Sequence, residues 1–235
     1  MSRPRAVILD VDGTLIDTND AHAHAWVDVC NDFGHPVAFG LVREMIGMGG
    51  DRVLPALTGM SEESAVGQEM KERRGKIFRE RYLPSCRAFP CARELLERMR
   101  DDGMRLVVAT SASPDDMAAL LKAAGVADLT EAKASSEDAE SSKPAPDIVE
   151  AALAEAGCDA PEAIMLGDTP YDVKAATHAG VRCVALRSGG WGDNALSGAI
   201  AIYRDTEDLF ERYDEFVRRV GNPPLQPHEV RRRGL

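Results

Sequence analysis

The sequence predicts an α/β fold, a parallel sheet flanked by helices, with one inserted helical domain. Short apolar runs alternate with helical patterns along most of the 235 residues, and this order is typical of parallel sheets. A cap residue, a glycine or a proline marks most of the junctions. Residues 17–86 break the alternation, because they contain helical patterns and no convincing strand.

The first strand is predicted at Ala6–Leu9, a short apolar run that is followed by two aspartates and a glycine. A helix begins near Asn19 or Asp20, either of which can cap it, because the apolar residues that follow recur near the helical period. A second, strongly charged helix begins at Ser61 and extends towards Tyr82. These helices make up the inserted domain.

After the inserted domain the strand and helix pattern resumes, and glycine closes most of the helices. Helices are predicted near 92–102, 114–124, 144–156 and 170–179, and strands at 106–109, 163–166, 183–186 and 199–202. Ser113 is the expected cap of the helix that begins at Pro114. Residues 135–142 are expected to form a polar loop, and residues 221–235 a loosely held tail.

We therefore expect a core of residues 1–16 and 87–235 and a helical cap of residues 17–86. The chain would cross between them twice, near Thr14–Thr18 and near Leu83–Pro90. Two linkers of this kind allow a cap to open and close over a site on the core.

The composition limits the partners that the protein can bind. Its residues are 44% hydrophobic and 29% charged, as in globular proteins, and the net charge of −11 argues against broad binding to nucleic acid or membranes. An anionic substrate would therefore need a local cation or a metal. No apolar stretch is long enough for a signal peptide or a membrane span. Five scattered cysteines lack metal-ligand spacing, which predicts reduced thiols in the cytoplasm, although Cys86 and Cys91 could pair.

Two aspartates follow the first strand directly. Asp10 would emerge at the carboxyl end of a buried strand, and the next loop would bring Asp12 towards the same space. Ligands of open α/β sheets collect at that edge. The alternative is structural, because Asp12 and Gly13 could simply form the turn that ends the strand.

Three later strand ends or loops carry chemically useful side chains. The hydroxyl of Thr110, backed by the Ser111 amide, can donate to a phosphoryl oxygen, and the ammonium of Lys143 can neutralise charge on a transferring group. Asp168 and Asp172 supply the hard oxygen ligands that suit Mg²⁺. Each residue alone has an ordinary interpretation as a helix cap or a solvated side chain. Together with Asp10, they favour a catalytic site.

These motifs together resemble those of the haloacid dehalogenase-like superfamily, in the branch with a helical cap inserted after the first strand. The matching segments are Asp10–Thr18, Thr110–Ser111, Lys143–Ile148 and Gly167–Asp172. The resemblance covers nearly the whole chain. It implies a Rossmann-like core, Mg²⁺ as the cofactor and an aspartyl-phosphate intermediate.

The resemblance also implies a role for each motif residue. Asp10 would attack phosphorus and bind Mg²⁺, and Asp12 would protonate the leaving oxygen and then activate water. The backbone carbonyl of Asp12 would bind the metal as well. Asp168 would be the second carboxylate ligand, while Asp172 would act through water or hold Lys143. The substrate-binding candidates are Thr14, Ser111, His22 and Arg52, with Arg43 and Met48 as further candidates in the cap.

The departures from family patterns narrow the reaction. By this resemblance, Asp12 disfavours a dehalogenase, which lacks an acid at that position, and a phosphonate hydrolase, which has a different residue there and a lysine in its cap. A β-phosphoglucomutase-like enzyme remains the alternative, since His22 matches the histidine that positions its acid/base residue. Its cap loop reads Gly-x-Ser-Arg, however, where this chain has Gly47–Arg52, and its metal loop has Glu-Asp in place of Gly167-Asp168.

We therefore predict a phosphatase that acts on a small phosphorylated metabolite, as a monomer or a weak homodimer. A sensor that binds phosphorylated ligands without catalysis is a second alternative. Such a sensor has no need for an acid at Asp12, so the intact motif speaks against it.

Overall fold

The computed structural model describes residues 3–130 and 132–221. This part of the chain contains six strands: Ala6–Leu9 (β1), Arg105–Ala109 (β2), Ala132–Ala134 (β3), Ala163–Gly167 (β4), Arg182–Leu186 (β5) and Ala201–Tyr203 (β6). They form one sheet in the order β3-β2-β1-β4-β5-β6, and every pairing is parallel. The predicted α/β fold is confirmed.

Ten α-helices surround the sheet or lie in the insertion, counted over the described residues. They are Asn19–Asp32 (α1), Phe39–Arg43 (α2), Gly50–Thr58 (α3), Ala65–Ile77 (α4), Ala92–Asp101 (α5), Pro114–Ala123 (α6), Asp147–Ala156 (α7), Pro170–His178 (α8), Thr206–Glu211 (α9) and Tyr213–Val220 (α10). A π-helical turn at Phe78–Tyr82 continues α4. None of these helices has the length and apolarity that a bilayer crossing requires.

The sheet is buried on both faces, as an apolar parallel sheet must be. Val7 and Leu9 of β1 belong to an apolar cluster that includes residues of α5, α6, α9 and α10. Ala6 and Ile8 belong to the cluster on the other face, with residues of α7 and α8. Since successive side chains of a strand point to opposite faces, β1 forms the centre of a three-layer core.

Helices α1 to α4 lie between β1 and β2 in the chain and share an apolar cluster of their own, which includes Trp26, Val42 and Met70. The two chain crossings run side by side. The amide of Asp17 donates to the Arg87 carbonyl at 2.9 Å, and a second backbone bond joins the linkers nearby. The division at residues 17 and 86 stays a prediction.

Several boundaries differ from the predicted ones. Helix α7 begins at Asp147 and not at residue 144, because each of the two prolines before it disfavours helical geometry at the preceding residue. Helix α4 begins after Ser64, whose hydroxyl accepts a hydrogen bond from the Gly67 amide, and not at Ser61. The last strand lies at Ala201–Tyr203. Residues 222–235 of the predicted tail lie outside the described residues.

Candidate active site

The predicted catalytic side chains lie at the carboxyl ends of neighbouring strands. Asp10 follows β1, Thr110 follows β2 and Asp168 follows β4. Strand β1 pairs with both β2 and β4, so these three ends meet at one edge of the sheet. The topology alone therefore brings a nucleophile candidate, a hydroxyl and a metal ligand candidate together.

Lys143 lies at the centre of the acidic cluster and is fully buried. Its Nζ is 2.5 Å from Oδ1 of Asp10 and 2.8 Å from Oδ1 of Asp172. The second oxygen of Asp172 accepts from the amide and the hydroxyl of Thr169, at 3.0 Å and 2.6 Å. Asp172 therefore contacts Lys143, and its role in the reaction stays a prediction.

The pKa values of the two carboxyl groups Asp10 and Asp168 are raised, because burying several negative charges close together is unfavourable. Burial raises the pKa of Asp10 to about 7, since the repulsion of Asp172 adds to burial and the attraction of Lys143 only partly offsets it. Burial, with repulsion from Asp10 and Asp172, also raises the pKa of Asp168. Burial alone would lower the pKa of Lys143, but Asp10 and Asp172 outweigh it and raise that pKa. The cluster holds more carboxylate than its one lysine can neutralise.

This excess fits a divalent cation. Asp10, Asp168 and Asp172 each place an oxygen within 4.8 Å of the others. The backbone packs closely against Asp168 at this point, because a Cβ on Gly13 or Gly189 would lie only 2.2 Å or 2.1 Å from its Oδ2. Hard carboxylate oxygens are the ligands that Mg²⁺ prefers. Asp10 and Asp168 are the residues that would hold it.

Thr14 and Asn19 orient these carboxylates. The hydroxyl of Thr14 lies 3.2 Å from Oδ2 of Asp10 and 3.0 Å from Oδ1 of Asp168, so it serves the acidic cluster and does not line the cleft. Asn19, the first residue of α1, donates from Nδ2 to Oδ2 of Asp168 at 2.9 Å. Its Oδ1 is buried with no hydrogen-bond partner among the described residues. The first turn of the inserted helices thus touches the metal ligand candidate.

Asp12 is held by two residues that follow it closely in sequence, Thr18 and His22. Its Oδ1 accepts from the hydroxyl of Thr18 at 2.6 Å and lies 2.7 Å from Nε2 of His22. The other ring nitrogen, Nδ1, lies 2.6 Å from Arg74. Arginine can only donate, so Nδ1 accepts and the ring proton lies on Nε2, towards Asp12. Burial alone would raise the pKa of Asp12, but the contact with His22, aided by Thr18, outweighs it and lowers that pKa.

Arg74 links His22 of the inserted helices to Asp116 of the core. Its guanidinium lies 5.5 Å from the centroids of the Trp26 and Phe78 rings and 2.9 Å from Asp116 at the start of α6. Arg79 binds the same carboxylate. Asp12 of the core contacts His22 of the inserted helices, His22 contacts Arg74, and Arg74 contacts Asp116 of the core. The position of His22 therefore depends on contacts that join the inserted helices to the core.

A cleft of about 670 Å³ opens between the inserted helices and the carboxyl edge of the sheet. Asp10, Asp12, Thr110, Ser111 and Met48 are among its lining residues. The hydroxyl of Thr110 accepts from the Ala112 amide at 3.1 Å, which leaves its own proton for a ligand. The hydroxyl of Ser111 is buried with no partner in the described part of the chain. Both hydroxyls can bind phosphoryl oxygens.

The loop at the start of α3 binds Ser142 of the core, which directly precedes Lys143. The Gly49 amide donates to the Ser142 hydroxyl at 3.0 Å, and the Ser142 amide donates to Asp51 at 3.1 Å. Arg52 donates to the Ser142 carbonyl at 3.2 Å and does not line the cleft. We call these three contacts the Ser142 latch.

Arg43, a further candidate for substrate contact, also points elsewhere. It donates to Asp20 at 2.6 Å and to the Gly189 carbonyl at 2.8 Å, beside the loop that covers Asp168. It is absent from the cleft lining among the described residues. Arg43 and Arg52 therefore join the inserted helices to the core, and the structure does not bring them to the cleft.

Four residues of the site were not predicted to belong to it. They are Asn19, which was predicted only as a possible helix cap, and Arg74, Asp116 and Ser142. Asn19 lies inside the first motif and Ser142 directly precedes Lys143, so proximity to a motif was their available signal. Arg74 lies in a strongly charged helix, where an arginine usually faces solvent. Nothing in the local pattern distinguishes it.

The chain resembles proteins of known family over most of its length. The family model for haloacid dehalogenase-like hydrolases matches residues 7–186. Phosphoglycolate phosphatase 1 of Pseudomonas aeruginosa is 31% identical over 192 residues, which are 79% of this chain and 70% of that protein. The chloroplastic protein SUPPRESSOR OF QUENCHING 1 of Arabidopsis thaliana is 32% identical over 187 residues, 78% of this chain but 18% of that longer protein.

The fold is also similar to that of a solved structure, a hydrolase from Pseudomonas syringae. The two superpose with a TM-score of 0.83 at 29% sequence identity. The match covers 90% of this chain and 99% of that one, so it includes both the sheet and the inserted helices.

Proposed function

This chain belongs to the haloacid dehalogenase-like hydrolases, and we propose that it is a phosphatase that uses Mg²⁺ to hydrolyse a small phosphorylated metabolite. One observation carries the proposal: Lys143 lies 2.5 Å from Asp10 within a cluster of buried carboxylates, at the floor of a cleft that Asp12 also lines. The similarity to a phosphoglycolate phosphatase over 70% of that protein supports it.

Asp10 would be the nucleophile. One of its oxygens bonds to phosphorus as the bond from phosphorus to the leaving oxygen breaks, which gives an aspartyl phosphate on Asp10. Lys143 favours the ionised form of Asp10 and offsets charge on the transferring group, while Thr110 and Ser111 donate to the phosphoryl oxygens. Bound Mg²⁺ would offset the repulsion between carboxylate and phosphate and act as a Lewis acid.

Asp12 would handle the protons of both half-reactions. In the first it gives a proton to the leaving oxygen. In the second it takes a proton from the water that attacks phosphorus as the bond from phosphorus to Asp10 breaks, which releases phosphate and restores the Asp10 carboxylate. The contact with His22 favours the charged form of Asp12, which suits the second step. The negative charge of an arriving phosphate acts in the opposite sense and favours the protonated form that the first step needs.

Phosphate release from an aryl phosphate tests the proposal directly. We expect turnover with Mg²⁺, none with EDTA, and a loss of at least about a hundredfold in Asp10→Asn, because the amide keeps the shape of the side chain but removes the nucleophile. Unchanged melting of the variant would show that the fold is intact. An enzyme that turns over equally in EDTA, or a variant that keeps its activity, would refute the proposal.

One observation favours a second function, that of a mutase which transfers the phosphoryl group between two hydroxyls. His22 lies 2.7 Å from Asp12, as its position in the mutase-like motif would require. Against it, Arg52 of the cap loop binds Ser142 and does not line the cleft. With β-glucose 1-phosphate we expect inorganic phosphate or no reaction. Glucose 6-phosphate formed faster than phosphate, with a need for a bisphosphate primer, would favour the mutase.

A further inference from the structure

The cations of the active-site cleft are already paired. Three basic side chains line it in the described part of the chain, Lys71, Arg74 and Arg79. Arg74 and Arg79 both bind Asp116, which is buried, and Lys71 pairs with Glu62. A second anionic group on a substrate could reach one of these cations only by displacing a carboxylate. Displacement at Asp116 would leave a buried charge without its partner, which is strongly unfavourable.

The mouth of the same cleft carries carboxylates from both sides. Glu63 and Glu72 lie on the side of the inserted helices, and Asp115 and Glu140 on the side of the core. All four are exposed and none takes part in an ion pair within residues 3–130 and 132–221. We call these four residues the acid rim. They give the outer cleft a negative potential that no lining cation balances.

We propose that this enzyme selects phosphate monoesters whose alcohol carries no second anionic group, and that it prefers an amine-bearing alcohol to a neutral one. The inference rests on the proposed phosphatase activity, and it specifies which charge on the leaving alcohol the enzyme prefers. The floor of the cleft accepts the phosphate, so the alcohol extends towards the acid rim. A carboxylate or a second phosphate there meets four like charges, whereas an ammonium or a set of hydroxyls meets acceptors.

Closure of the cleft strengthens this preference. The rim residues of the inserted helices and of the core repel one another across the mouth, and the repulsion grows as the two sides approach. An ammonium between them offsets the repulsion, and a carboxylate adds to it. The charge of the alcohol therefore affects closure as well as contact.

A matched series of hexose 6-phosphates tests the proposal, because its members share the phosphate and the ring or chain length but differ in charge at the far end. The substrates are glucosamine 6-phosphate, glucose 6-phosphate and 6-phosphogluconate, each assayed with Mg²⁺ at low ionic strength. We expect kcat/KM to fall in that order, by about tenfold from the first to the last, as four partly screened surface charges can provide. Added salt should reduce the differences in kcat/KM among the three substrates, because it screens the exposed carboxylates.

The double variant E63Q/E72Q should reduce the preference for the amine, measured as the ratio of kcat/KM for glucosamine 6-phosphate to that for glucose 6-phosphate, at least threefold, a change that modest surface charges can produce. Glu69→Gln is the matched control, because Glu69 is exposed on the same helix α4 and does not line the cleft. It should leave the order and the range unchanged.

Equal or faster hydrolysis of 6-phosphogluconate would overturn the proposal while leaving the phosphatase activity in place. An amine preference that is the same in E63Q/E72Q would overturn the role of the acid rim. If the three sugars are inert but an aryl phosphate is hydrolysed, the proposed substrate class is wrong. If no phosphate ester is hydrolysed, the proposed function itself fails.

Discussion

At the residue scale, the state of Asp12 depends on a histidine that its carboxylate contacts. His22 lowers the pKa of Asp12, so its removal should raise that pKa. The charged form of Asp12 activates water in the second half-reaction, so where that step limits turnover the acidic limb of the kcat profile should move to higher pH in His22→Ala. His24→Ala is the control, because His24 is exposed on the same helix. An acidic limb that stays in place would contradict the role of His22.

Asn19 gives a second prediction, which does not depend on turnover. Its amide orients Asp168 and its buried carbonyl has no partner among the described residues. Asn19→Ala should weaken Mg²⁺ binding by about tenfold, as the loss of a residue that orients a metal ligand commonly does. Titration calorimetry measures the Kd, and Asn31→Ala, exposed near the far end of α1, is the control. Equal affinities in all three proteins would show that Asn19 has no such role.

Sequence reasoning reached the residues whose chemistry is visible in a short motif. Asp10 and Asp168 follow apolar runs, and the rule that parallel strands end at one edge is enough to bring them together. Arg74 and Asp116 are different. They bind each other although they are 42 residues apart in sequence and lie on opposite sides of the cleft. Only tertiary packing determines such a pair. Arg52 is an error of the opposite kind. The sequence predicted it as a substrate contact, but in the structure it binds the Ser142 carbonyl.

At the scale of elements, the Ser142 latch joins the loop before α3 to the segment that carries Lys143. Ser142→Ala removes the acceptor of the Gly49 amide, and one such bond contributes about 1 kcal/mol. If the latch holds the closed form, KM should rise by roughly fivefold with little change in Tm. Ser141→Ala is the control, since its hydroxyl takes no part in the latch. A fall in Tm with unchanged KM would indicate a purely structural role.

Three of the missed elements have weak or unusual signals. Strand β3 consists of Ala132–Ala134, which contains no β-branched or aromatic residue, and it exists because it pairs with β2 at the sheet edge. Helices α2 and α9 have five and six residues, too few to show a helical period. Strands β1 and β4 and helix α8 were predicted close to their observed bounds, because an apolar run marks each strand and Thr169 and Gly180 flank the helix.

At the scale of the whole molecule, the buried acids couple stability to pH and to Mg²⁺. The pKa of Asp10 is raised to about 7, so its contribution to stability is present below the unfolded pKa near 4 and is lost as pH rises through about 7. Asp168 acts in the same direction. The metal-free protein should thus lose stability from this source between about pH 4 and 7.

Mg²⁺ binds the charged carboxylates and competes with protons, so its stabilising effect should grow over the same range. We expect the Mg²⁺-induced rise in Tm to be larger at about pH 8 than at about pH 5, measured by scanning calorimetry. Asp10→Asn, which removes one titrating group and one ligand, should reduce the difference. A rise in Tm that is independent of pH would contradict this description of the acidic cluster.

The central claim is that Asp10 carries the phosphoryl group during turnover. Enzyme quenched in acid while it turns over substrate with Mg²⁺ can be treated with borohydride, which reduces an acyl phosphate but not a free carboxylate, and then mapped by peptide mass spectrometry. We predict reduction at Asp10 alone, dependent on substrate and absent in Asp10→Asn. Turnover without reduction at Asp10, or with reduction at Asp12 or Asp168 in its place, would contradict the account.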